Sequence, residues 1–166
     1  IAASIELGVE LKDIRGALGE FAGTARRMQV MGEFRGATVV DDYAHHPTEI
    51  KATLSGARQL YGGKKIIAVF HPHTFTRTKT LLDDFAQSFK DADEIVILDI
   101  YGSAREAQGG VHSKDLIDKI KGQEVKYVPT LDEVEKYLRE HIERNDVILL
   151  MGAGDVFRVG ERLVKM

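Results

Sequence analysis

The sequence predicts a three-layer α/β fold, with a mostly parallel sheet covered by helices on both faces and an antiparallel hairpin strand at one edge. Three observations carry this. Four short apolar runs rich in Ile and Val, Lys65 to Phe70, Glu94 to Ile100, Glu124 to Val128 and Asp146 to Met151, have the character of strands buried on both faces. Between them lie apolar stripes at helical spacing. Two further segments, Arg27 to Phe34 and Ala37 to Asp42, flank Arg35-Gly36, a linker short enough for a hairpin. Strands alternating with helices through right-handed crossovers give a Rossmann-like arrangement, in which ligands bind beyond the carboxyl ends of the strands.

Residues 1 to 20 read as a helical lead-in, because Ile5, Val9, Ile14 and Leu18 are spaced for one face and Asp13 is placed to begin a second short helix. The domain proper then runs from 21 to 166. After the hairpin, whose second strand holds the β-branched pair Val39-Val40, three stripes mark helices. They are Ile50, Leu54, Ala57 and Leu60; Leu81, Leu82, Phe85 and Phe89; and Leu131, Val134, Leu138 and Ile142. A last helix follows Gly152-Ala153-Gly154. Gly102 to His112, with Gly109-Gly110, reads as the most mobile loop.

The 166 residues, 43% hydrophobic, suffice for one buried core. With 23 basic and 26 acidic residues and no block of like charge, the chain lacks a phosphate-binding stripe, which argues against a nucleic-acid partner. Cysteine is absent, which excludes disulfides and thiolate chemistry. No apolar run approaches the roughly 20 residues that span a bilayer, so a membrane role is not expected and a cytoplasmic location is. The opening Ile1-Ala2-Ala3-Ser4, with neither initiator methionine nor signal-like pattern, reads as part of a longer chain.

The chemically versatile residues fall at predicted strand ends. Asp41-Asp42-Tyr43-Ala44-His45-His46-Pro47 places two carboxylates and two imidazoles at a strand-to-helix transition. Carboxylates there can accept from ribose hydroxyls or bind Mg²⁺, and imidazole can donate to a developing oxyanion. In His71-Pro72-His73-Thr74-Phe75-Thr76-Arg77, the arginine enters a helix near its N-terminus, where a cation gains nothing from the macrodipole. Its fork therefore points to a carboxylate or phosphate. Arg26-Arg27, before the first strand, can stack on a base or neutralise phosphate. The glycines of Gly152-Ala153-Gly154 suit a tight turn, and no GxxxxGK[ST] loop occurs. An alternative reading makes His71, His73, Asp42 and His46 ligands of a metal-dependent hydrolase, with Asp99 and His112 the remaining candidates.

In order along the chain, several strings resemble the C-terminal domain of the Mur ligases. They are Val40-Asp41-Asp42-Tyr43-Ala44-His45-His46-Pro47-Thr48-Glu49-Ile50, Val69 to Thr78, Ile100-Tyr101-Gly102-Ser103-Ala104-Arg105-Glu106 and Met151-Gly152-Ala153-Gly154-Asp155, with Phe21 and Arg26-Arg27 ahead of them. The doubled histidine and the Pro-His-Thr-Phe-Thr-Arg-Thr string point to the branch that adds L-alanine to UDP-N-acetylmuramate. The resemblance implies ATP-dependent amide formation through an acyl phosphate in peptidoglycan precursor synthesis. It also implies N-terminal and central domains that hold the UDP-sugar, the phosphate loop and most of the Mg²⁺ ligands. Carried over residue by residue, Arg27 and Asp42 look like ATP contacts, with Asp42 at the ribose. His46, His73 and Arg77 look like the amino-acid side, Arg77 pairing the alanine carboxylate and His46 catalytic. No metal ligand is assigned to this chain. Some relatives carry arginine at Thr74 and glutamine at His71, so Arg77 would act here with hydroxyls or water.

Overall fold

The structure, a computed structural model, describes residues 1–21, 23–104 and 109–165. Two lead-in helices, α1 (Ala2–Glu6) and α2 (Leu11–Glu20), precede the hairpin β1 (Gln29–Phe34) and β2 (Ala37–Asp42). There follow α3 (Pro47–Tyr61), β3 (Ile66–Phe70), α4 (Phe75–Thr80), α5 (Leu82–Ala86), β4 (Glu94–Ile97) and α6 (Ser113–Lys119). The chain ends with β5 (Glu124–Tyr127), α7 (Leu131–His141), β6 (Val147–Met151) and α8 (Phe157–Val164).

The sheet order is β1-β2-β6-β3-β4-β5, antiparallel only between β1 and β2. The hairpin turns on Arg35 and Gly36, both at positive φ (53° and 83°), which matches strand twist in a two-residue loop. Alternation along the strands sorts the core into two. Val40, Ala68, Phe70, Ile95, Ile97, Leu149 and Met151 pack with α3, α5 and α6 on one face. Val39, Ile67, Val69, Val96, Ile148 and Leu150 pack with α7 and α8 on the other. The predicted layers and the antiparallel edge are therefore present.

Register sets Asp42 beside Met151, Met151 beside Phe70, and Phe70 beside Ile97, so four strands end level. The helices after β2 and β3 go to one face and the helix after β6 to the other. Crevices consequently open on both sides of the β6 terminus, where such sheets bind ligands.

Several expectations are adjusted. The lead-in breaks at residues 7 to 10, and Glu10 rather than Asp13 sits at the N-cap of α2. The helix expected from Leu81 begins at Phe75 and is interrupted at Leu81. β5 is an edge strand, exposed at Glu124 and half-buried from Val125 to Tyr127 rather than buried on both faces. The short helix α6 falls where no helical stripe was apparent. Within the expected mobile loop, residues 105–108 lie outside the described residues. Among the described residues no helix is long and apolar enough to cross a membrane.

Candidate active site at the carboxyl edge of the sheet

The two adjacent arginines before β1 separate. Arg26 turns inward: Nε donates to Asp41 Oδ2 at 2.9 Å and Nη2 to the Gly152 carbonyl at 2.8 Å. Its guanidinium lies over the rings of Tyr43 and Phe157, 4.8 and 4.7 Å from their centroids. Arg26 thus ties the segment before β1 to the ends of β2 and β6, at a backbone φ of 58°. Arg27 is exposed, its guanidinium over the Tyr43 ring at 5.7 Å from the centroid, on an open groove of about 510 Å³ lined by Gly23 to Ala25 and Arg27 to Val30.

The two aspartates also divide. Asp42 is buried, and its carboxylate accepts from Met28 N and Ala44 N, both at 2.8 Å, and from Thr53 Oγ1 at 3.2 Å. It shapes the loops on either side of it, including the one that presents Arg27. Asp41 is 2% exposed, and burial pushes its carboxyl above the usual range despite the opposing pull of Arg26.

His46 is the N-cap of α3. Its Nδ1 accepts from Thr48 N at 3.3 Å, while Glu49 accepts from the backbone N–H groups of His45 and His46 at 3.0 and 3.1 Å. Pro47 occupies the first helical position. An imidazole that accepts at Nδ1 carries its proton on Nε2 when neutral, so exposed His46 has a donor free to meet a ligand. His45, read from sequence only as one of two imidazoles in the cluster, turns its ring edge-on to His73 at 6.5 Å and connects the loops after β2 and β3.

Beyond β3, His73 pairs with Tyr101 in a parallel bridge, its ring stacked on the Tyr101 ring at 5.4 Å. Thr74 N donates to Tyr101 O at 2.9 Å, and Thr78 Oγ1 donates to Thr74 O at 2.8 Å. These bonds hold Thr74 at a φ of 71°, a strain of roughly 1–3 kcal/mol for a β-branched residue, at the N-cap of α4. Arg77 is thereby fixed near the start of that helix, half-buried, with Nη1 on the His73 carbonyl at 3.4 Å. No acidic side chain pairs with Arg77 among the described residues.

The metal-hydrolase reading does not survive. Among the described residues no group of three or more His, Asp or Glu side chains is gathered to hold a metal. Asp42 is engaged by internal donors, and His112 caps α6 by accepting from Lys114 N at 3.1 Å. Asp99, the other candidate, receives the hydroxyl of Tyr127. Around β6 the glycines serve close approach: a Cβ on Gly152 would stand 2.9 Å from the His71 carbonyl.

The family model described as "Mur ligase, glutamate ligase domain" matches residues 26–154. The chain is 47% identical to the UDP-N-acetylmuramate--L-alanine ligase of Caldanaerobacter subterraneus subsp. tengcongensis, over 99% of this chain and 36% of that protein. It is 46% identical to the enzyme of that name from Desulfitobacterium hafniense, over 99% and 37%. The crystal structure of UDP-N-acetylmuramate-alanine ligase from Thermotoga maritima superposes with a TM-score of 0.83 at 32% identity, covering 99% of this chain and 35% of that one. The chain thus spans a little over a third of the length of the curated relatives it matches.

Proposed function

The chain belongs to the Mur ligase family, and from that membership we propose that it serves as the closing domain of a ligase joining L-alanine to UDP-N-acetylmuramate in peptidoglycan precursor synthesis. Residues 21–166 form that domain, and residues 1–20 lead in from the domain that precedes it. The cytoplasm is the compartment in which the reaction takes place. The domain alone is inactive, because the activated substrate is held largely by other parts of the longer protein.

The observation that carries this reading is Arg77, a half-buried guanidinium without an acidic partner among the described residues, held on the His73 carbonyl beyond the carboxyl end of β3. A planar fork in that position suits the carboxylate of an amino acid. His73 flanks that site, while His46 donates through Nε2 to the substrate oxygen that gains negative charge as the amine attacks. Arg27 and Asp42 make the nucleotide side: Arg27 faces polyphosphate across the open groove, and Asp42, its oxygens engaged by Met28 N, Ala44 N and Thr53 Oγ1, meets the ribose by exchanging one of these internal donors for a ribose hydroxyl. When bound, ATP supplies the phosphoryl group that activates the muramate carboxylate. Mg²⁺ falls to residues in the other parts of the longer protein. The chain's own contribution is to orient the amine and neutralise charge, effects that lower acyl-transfer barriers by several kcal/mol or more.

In the full-length protein, Arg77→Ala should raise the apparent KM for L-alanine by at least about tenfold, the scale of one charge-assisted hydrogen-bond pair. The KM for ATP should stay nearly constant. Steady-state phosphate release at varied L-alanine and ATP decides; an unchanged alanine KM removes Arg77 from the amino-acid site.

A further inference from the structure

The ligase reading leaves His71 and Asp155 without a task. His71 is 7% exposed, directly after β3, with its backbone N–H on the Met151 carbonyl at 3.0 Å. Its Nδ1 is buried and makes no hydrogen bond among the described residues, and the same holds for Asp155 Oδ1 in the loop after β6. The two atoms lie 3.6 Å apart. That is just beyond hydrogen-bonding length, so each is unsatisfied while the other stands beside it.

The pair is continuous with the site. Gly154 brings the β6 loop against both rings: a Cβ there would stand 3.7 Å from His71 Nδ1 and 3.6 Å from Tyr101 Cγ. The Tyr101 ring meets His71 edge-on at 5.6 Å and stacks on His73 at 16°. Asp155, His71, Tyr101 and His73 therefore form one chain of contacts across the ends of β6, β3 and β4.

We propose that His71 and Asp155 are a positioning pair, His71 Nδ1–H donating to Asp155 Oδ1 as the crevice tightens around substrate, so that the β6 loop locks the ring stack that orients His73. The kinetic part of this rests on the ligase reading; the pairing itself does not. Three charged groups act on His71: Asp155 from the β6 loop, His73 from its own segment and Asp99 from the end of β4. Burial dominates and keeps the ring neutral at physiological pH, while Asp155 opposes it. A neutral ring beside a carboxylate carries its proton on the facing nitrogen, here Nδ1.

The test uses the full-length protein, with folding of every variant checked by thermal melting. Imidazole nitrogen NMR should find His71 in the Nδ1–H form. Asp155→Asn should lower its titration midpoint, since the one nearby charge that most favours the imidazolium is gone. Kinetically, His71→Ala and Asp155→Asn should each raise the L-alanine KM roughly 5- to 20-fold with kcat less affected, and the double variant should be no worse than either single one. His71→Gln should recover most of the loss, because its amide can donate to the same oxygen. An unmoved midpoint in Asp155→Asn, or single-variant losses that multiply in the double variant, would overturn the pairing. A wild-type protein that forms no amide from L-alanine would instead sink the ligase reading, and the spectra would still decide the pair.

Discussion

Arg26 and Arg27 are neighbours with opposite fates, and the difference lies in what each can reach. Arg26 satisfies a buried carboxylate and a strand-end carbonyl between two aromatic rings, whereas Arg27 is left at the surface facing the groove. Removing Arg26 would leave Asp41 buried and unpaired. Arg26→Met should therefore cost on the order of 2–4 kcal/mol, at the lower side for a buried pair because the arginine side chain is 24% exposed. The pH dependence has a definite sign. Asp41 already titrates above its usual value of 3.8, so the stability it contributes is present below that pH and is lost as pH rises through its folded value. Without Arg26 the folded value climbs further. The deficit, read by urea unfolding, should widen from pH 4 to pH 7; a constant deficit would mean that the loss comes from ring packing alone. Sequence grouped both arginines as anion-binding because composition cannot tell an internal carboxylate from a ligand's. His45 escaped for a related reason: its neighbour His73 is remote in sequence and near only in the sheet.

At the scale of elements, the β-branched runs announced the strands because burial on both faces leaves no polar alternation to obscure them. What escaped notice were short pieces held by tertiary contacts. α6 has seven residues with only Ser113 and Leu116 buried, too few for a periodic stripe, and β5 reads as apolar although it lies on the edge. Caps, by contrast, are local. Pro47-Thr48-Glu49 after His46 spells a capping box, and Glu49 accepts from the two backbone N–H groups that start α3. Burial pushes the Glu49 carboxyl up, but those hydrogen bonds together with His45 and Arg27 bring it below its usual 4.5. Its contribution is therefore present above pH 4.5 and lost as pH falls through the lowered value. Glu49→Ala should cost about 0.5–1 kcal/mol at pH 7, limited by solvent screening, and less as pH falls through the lowered Glu49 value. Equal losses in urea unfolding above and below that value would assign the effect to helix propensity. Gly160 of α8 is a different constraint: a Cβ there would run into Met31 Sδ and stand 2.8 Å from Leu150 Cδ1. Gly160→Ala should cost roughly 1–3 kcal/mol by overpacking α8 against the sheet, and adding Met31→Ala should recover part of it. A full loss that survives in the double variant would point to the helix instead.

Over the whole molecule, burial is uneven. The sheet and its flanking helices hold two continuous cores, while the lead-in keeps Ile1, Ile5, Leu7, Val9, Leu11 and Leu18 exposed and buries only Ile14, at 8% exposure. An element with so little apolar area removed from water opens at a cost far below global unfolding. α1 and α2, of five and ten residues, are also too short to persist on propensity alone. In the 166-residue chain, backbone amides of residues 2–20 should therefore exchange with deuterium within seconds to minutes, while those of β3 and β6 should open only with the whole domain. If these helices lead in from a preceding domain that covers their apolar face, the same amides should become protected by about a hundredfold or more in the full-length protein, since burying several large side chains is worth at least 3 kcal/mol. Exchange that is equally fast in both would detach residues 1–20 from any interdomain role and leave their hydrophobic face without an explanation from the ligase architecture.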